Sequence, residues 1–286
     1  MKKAMQTALL LGLALLAGCA APGAVSPAPT PELTESPEAG ATGPVDSAPW
    51  FATFRVVSGA ETGELVLAAN GGTSGEVCVL NTKDLPLDRP VENGELINVY
   101  YDLLLETFPA QFGNVSAVEH TRTERDDRCG LYLQVLEDLW AVDEGLNGDI
   151  TELGVDLSSV TDLSESEKSA VAWAFGNAHG LTPVEGAWDE LKEQGYFTAQ
   201  PLEGDGAPEG AAFYHWEDGA LFSIRTNEDA AWSLPDIAEG DQPPVLTAFN
   251  AQKWRSGLGA YFFQDCTAVQ ADDGTWTYTV GSEAIS

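Results

Sequence analysis

The groups from which this chain could build a reactive centre are three histidines, four cysteines and 45 acidic side chains. Zinc needs His, Cys or carboxylate ligands at short spacing, whereas His120, His179 and His215 are scattered, with no HExxH or CxxC pattern. His179 closes an apolar helical pattern, where a cation at a helix C-terminus is favoured by the dipole, so capping is its expected role. Asp143, Asn147, Gly148 and Ile150 follow part of an EF-hand-like spacing. Gly145 and Gly154, however, stand where two oxygen ligands belong, including the bidentate glutamate. No GxSxG or SxxK motif is present, and Ser256 has no base close to it in sequence, although triads assemble from distant segments. Carboxylate pairs such as Asp126 with Asp127 and Asp272 with Asp273 could serve a glycosidase only if one member sat in an apolar pocket. The sequence therefore names no catalytic residue, no metal site and no cofactor.

Binding chemistry is better represented. Trp254 and Arg255, in Lys253-Trp254-Arg255, are the candidate ligand-binding residues, since an exposed indole stacks on sugar rings and a guanidinium forks onto polar groups. Arg122, Arg125 and Arg128 alternate with Glu124, Asp126 and Asp127, which reads as a self-paired, solvated linker rather than an anion site. Cys78, Cys129 and Cys266 lie beside apolar residues and read as buried free thiols. A Cys129 to Cys266 bridge is the alternative, with nothing in the sequence to support it.

The formal charge of -32 excludes a nucleic-acid partner, because affinity for phosphates comes mainly from Lys and Arg. At the N-terminus, Lys2 and Lys3 precede an apolar run over residues 8–17, which is too short to span a bilayer and fits an export signal over residues 1–18. Leu16-Ala17-Gly18-Cys19 resembles the lipobox of bacterial lipoproteins. That resemblance implies cleavage before Cys19, a diacylglycerol thioether and palmitate on that cysteine, and a protein held on the extracytoplasmic face of the cell membrane. Residues 19–49, rich in Pro, Ala and Glu, cannot bury enough apolar surface to order themselves and read as a disordered tether spanning about 30 Å.

The elements that must position any site follow. Over residues 50–124, apolar runs at 53–57, 64–68, 76–80, 96–101 and 115–119 are separated by turn residues. Several are apolar on both faces, which predicts a small five-stranded β-barrel of OB- or SH3-like type. Residues 125–286 change period: helices are predicted after Cys129, after the Ser164/Glu167 capping box and around Trp188. A strand is predicted at 150–157, and antiparallel strands at 215–224, 261–269 and 276–280. The fold class expected is thus α+β, the barrel followed by an α+β domain with an antiparallel sheet. Stretches at 203–210 and 238–244 read as surface loops. Glu106-Thr107-Phe108-Pro109-Ala110, and the run from Phe249 through Tyr261-Phe262-Phe263 to Trp276-Thr277-Tyr278, resemble segments of uncharacterised lipoproteins from Gram-positive anaerobes, a likeness that carries no activity. The expectation is a non-catalytic surface lipoprotein, with the membrane as one partner through its lipid and an envelope protein or glycan as another. The alternative is a glycosidase-like extracytoplasmic hydrolase using paired carboxylates.

Overall fold

Two mixed β-sheets, with helices packed between and against them, make up the protein. The computed structural model describes residues 50–72, 76–202, 211–227 and 245–286. The export signal, Cys19, the tether and the loops at 203–210 and 238–244 lie outside the described residues. The first sheet contains β1 (Trp50–Ser58), β2 (Glu64–Ala69), β3 (Val77–Asn81), β4 (Leu96–Tyr101), β5 (Leu103–Leu105), β6 (Ala110–Gly113) and β7 (Ala117–His120). Its order is β5-β6-β3-β2-β1-β4-β7, with β3 and β6 parallel and the other pairs antiparallel. The turn from β1 to β2 depends on Gly59 at φ 88°, where a Cβ would lie 2.0 Å from the Glu64 carbonyl oxygen. Alternation along the strands sends Phe54, Val56, Leu65, Leu67, Ile97 and Val99 into one core.

The remaining chain forms α1 (Arg128–Ala141), β8 (Glu152–Asp156), α2 (Glu165–Ala178), β9 (Pro183–Glu185), α3 (Trp188–Glu193), β10 (Thr198–Pro201), β11 (Ala212–His215), β12 (Gly219–Thr226), β13 (Leu246–Ser256), β14 (Gly259–Gln270), β15 (Trp276–Thr279) and β16 (Ser282–Ile285). The second sheet runs β10-β11-β13-β12-β8-β9, with β14 beside β13 and β15 and β16 beside β14. Its strand β8 is parallel to both β12 and β9, because α2 makes the crossover from β8 to β9. Helix α2 begins as its capping box predicts: Ser164 accepts from the Glu167 N–H at 3.4 Å, and Glu167 accepts from the Ser164 N–H at 2.8 Å. Helix α1 buries Leu131, Tyr132, Val135, Leu136 and Leu139 against Phe222, Phe249 and Ala251 of the sheet. Residues 47–286 cluster as one compact unit. Among the described residues no helix is long and apolar enough to cross a membrane.

The expected fold class is corrected on both counts. Strands occupy 44% of the described residues and helices 18%, in sheets of seven and nine strands, rather than a five-stranded barrel followed by an α+β domain. The apolar residues on both faces of β2 have another cause than barrel closure. Leu65 and Leu67 enter the first core, while Val66 and Ala68, with Val57 and Val77, join the core built on α1, α2 and the second sheet. Helix α2 thus covers the second face of the first sheet. The second sheet is mixed rather than antiparallel, because β8 and β9 enter it through a helical crossover that antiparallel patterning does not foresee.

Candidate functional site

Strand β13 sorts its side chains by parity. Phe249, Ala251 and Lys253 face the helices, and Asn250, Gln252 and Trp254 face away. Across the sheet, Asp156 of β8, Ser223 of β12, Gln252 of β13 and Phe262 of β14 are successive register partners. The next row brings Arg225 opposite Asn250. Beyond it β14 bulges: Asp265, at φ 52°, donates its N–H to Asn250 Oδ1 at 2.8 Å and fixes that carboxamide. Ser223, Arg225, Asn250, Gln252, Phe262 and Asp265, together with Gln264, line an open groove of about 410 Å³. Arg225 is exposed and, among the described residues, makes no ion pair.

The far end of the same face is closed by aromatic rings. Leu221, Trp254 and Ala260 form the preceding row, and Leu221 and Trp254 pack with Leu191, Phe197, Trp216 and Trp188. The Trp254 ring centroid is 4.9 Å from that of Phe197, and Lys192 Nζ stands 4.5 Å from the Tyr214 centroid. Trp216 lies flat on the sheet because β8 and β12 offer glycines beneath it: a Cβ at Gly154 would meet its ring at 2.7 Å, and one at Gly219 at 2.4 Å. Its indole N–H donates to Glu152 Oε2 at 2.6 Å.

Trp254 and Arg255 are therefore not brought together. Trp254 is half-buried in the outer aromatic cluster. Arg255 reaches the opposite side, donating to the carbonyls of Gly148 at 3.0 Å and Glu217 at 2.8 Å. The EF-hand-like loop holds a cation of the protein's own. Lys253, 0% exposed, donates to Asn147 Oδ1 at 2.6 Å, to the Asp143 carbonyl at 3.1 Å and to the Val142 carbonyl. Burial lowers the Lys253 ammonium to about 8, against the opposing pull of the Asp143 and Glu144 charges. Two of its three N–H donors satisfy the Val142 and Asp143 carbonyls just past the end of α1, and the third the Asn147 carboxamide.

The other reactive candidates are built into structure. His179 stacks on Trp140 at 3.7 Å and contacts Glu137 Oε2 through Nε2 at 3.0 Å. His120 meets Glu95 at 3.0 Å in the first sheet, and His215 pairs with Ser256 in the second. Arg125 and Arg128 pair with Glu92, Asp127, Asp126 and Asp162, and the Arg128 guanidinium lies 4.9 Å from the Trp276 ring centroid. Cys78, Cys129 and Cys266 are free and buried, and burial pushes the Cys78 thiol up to about 11 and Cys266 to about 12. Among the described carboxylates Asp127 is displaced most, raised to about 6 chiefly by burial, and it lines a cavity of about 420 Å³ with Trp276 and Leu133. Glu137 lines the same cavity, ten residues on. Glu61, in the turn between β1 and β2, lines it too.

No protein-family model, no curated protein and no solved structure matches the chain. Arg225, Asn250, Gln252, Phe262 and Gln264 were not legible as a site in the sequence. The available signal was the alternation of Asn250, Gln252 and Trp254 against Phe249 and Ala251, interrupted by a lysine on the apolar face.

Proposed function

We propose that this protein is a non-catalytic binding protein of the cell envelope, lipid-anchored through Cys19, that presents the outer face of its second sheet to a hydroxyl-rich ligand such as an envelope oligosaccharide. One observation carries the binding reading. Carboxamides, a serine hydroxyl, a guanidinium that makes no ion pair among the described residues and an aromatic ring lie in register on one sheet face, beside the Asp265 carboxylate. Carboxamides both donate and accept, as hydroxyl groups do, and a phenyl face covers the apolar side of a pyranose. The lipobox residues and the tether composition support the anchor and an extracytoplasmic location. The groove is tested by calorimetric titration with soluble cell-wall glycan fragments. Binding weakened at least tenfold by Arg225→Ala with Gln252→Ala supports the reading. Undiminished binding by that variant, or cleavage of the glycan, overturns it. The anchor is tested separately, by whether labelled palmitate enters the wild-type chain and not Cys19→Ser.

A further inference from the structure

Five large apolar side chains of the first sheet and its β5–β6 loop stand in solvent: Trp50 is 75% exposed, Phe51 58%, Leu103 53%, Leu105 44% and Phe108 53%. Strand pairing and chain connectivity bring Trp50, Phe51 and Leu103 to the same end of the β1–β4 pair, on both of its faces, and Leu105 and Phe108 follow along the chain. Trp50 and Phe51 open β1 opposite Tyr101 and Tyr100 of β4, and Asp102 alone separates β4 from β5, which carries Leu103 and Leu105. The Phe51 and Tyr100 rings lie 5.1 Å apart. From Tyr100 to Leu105 an extended chain covers about 17 Å, so the patch is narrow. Residues 96–113 contain Asp102 and Glu106 and no lysine or arginine.

We propose that this patch seats Trp50 and its neighbours in the headgroup boundary of the membrane on which Cys19 would hold the protein. The occupant follows from where the undescribed chain joins the fold: the segment that leads back to Cys19 meets the sheet at Trp50, inside the patch. Trp and Phe have an apolar body suited to the headgroup boundary. With no basic residue nearby and a formal charge of -32, contact is apolar and not an attraction to anionic lipid. The inference rests on the lipid-anchor reading for its biological setting, but the patch is testable without the lipid.

The experiment is co-sedimentation of the chain from residue 20 onward, without the export signal and the acylated cysteine, with phosphatidylcholine vesicles. Partitioning that persists in high salt, falls as anionic lipid is added, and drops at least tenfold when Trp50, Phe51 and Leu103 are each replaced by Ser is the expected result. Leu258→Ser, at a residue 80% exposed in the turn between β13 and β14, controls for loss of a single exposed apolar group and should leave partitioning unchanged. Absence of vesicle binding, equal binding by the triple variant, or concentration-dependent self-association abolished by the same substitutions without vesicle binding would each overturn the proposal. Because a chain that starts at residue 20 has neither export signal nor acylated cysteine, failure of the anchor reading shows only in palmitate labelling and failure of the patch only in the vesicles.

Discussion

Lys253 makes the sharpest demand on the reasoning, because it is a fully buried ammonium held by carbonyl and carboxamide oxygens and by no carboxylate. Burial brings it to about 8 in the folded protein, against about 10.4 for an unfolded lysine. Below pH 8 both states carry the proton and this group contributes no pH dependence. Between the two values the unfolded chain holds more protons than the folded one, so stability rises with pH. From pH 7 to pH 9.5 the rise attributable to Lys253 is about 2 kcal/mol, at about 1.4 kcal/mol for each pH unit above 8. Urea unfolding of the wild type and of Lys253→Met at those two pH values isolates it, since the tyrosines and surface carboxylates cancel in the double difference. Lys253→Met should lack the rise and, with the oxygens around Nζ left short of donors, be the less stable protein at pH 9.5. Identical pH dependence in the two proteins would refute the account of Lys253 as a cation buried against its solvation.

Asp127 gives the opposite sign: a carboxyl raised to about 6 loses stability as pH climbs from its unfolded value through 6, so Asp127→Asn should remove a loss of about 2–3 kcal/mol between pH 4 and 7, read from thermal melts at the two pH values. Gly154→Ala forces a methyl against the Trp216 ring and should destabilise by about 1–3 kcal/mol, with a shift in tryptophan emission that an equivalent change at Gly145, where a Cβ meets nothing closer than 3.7 Å, would not give. Ser164→Ala deletes the α2 cap and should lower stability by about 1 kcal/mol in urea unfolding, while Ser164→Thr keeps most of it.

The parts of the fold legible in sequence were those fixed by local chemistry. The Ser164/Glu167 box marks the start of α2, and the 3.6-residue spacing from Leu131 to Leu139 marks α1, because both signals are complete within a few residues. Strands whose two faces are both apolar were ambiguous. Nothing within β2 says whether Val66 and Ala68 meet a helix or a barrel wall, and α2, about a hundred residues away, decides it. Strand β13 was hidden because Lys253 occupies an inward position, and only the carbonyls just past the end of α1 make a buried lysine reasonable there. With β13 unseen, the row of Ser223, Gln252 and Phe262 could not be assembled, since each lies on a different strand and none is distinctive alone. Trp254 and Arg255 attracted notice as neighbours in sequence, yet strand geometry sends adjacent residues to opposite faces.

The position of β1 has a mechanical consequence. It lies between β2 and β4, antiparallel to both, and its first residue is where the chain from Cys19 joins the sheet. If the protein is held at that cysteine while a ligand grips β12 to β14, drag on the cell surface pulls β1 along its own axis. Ladder hydrogen bonds on both sides run across that axis, so they are sheared together instead of being peeled apart in turn. A domain pulled through such a strand yields only when many bonds fail at once.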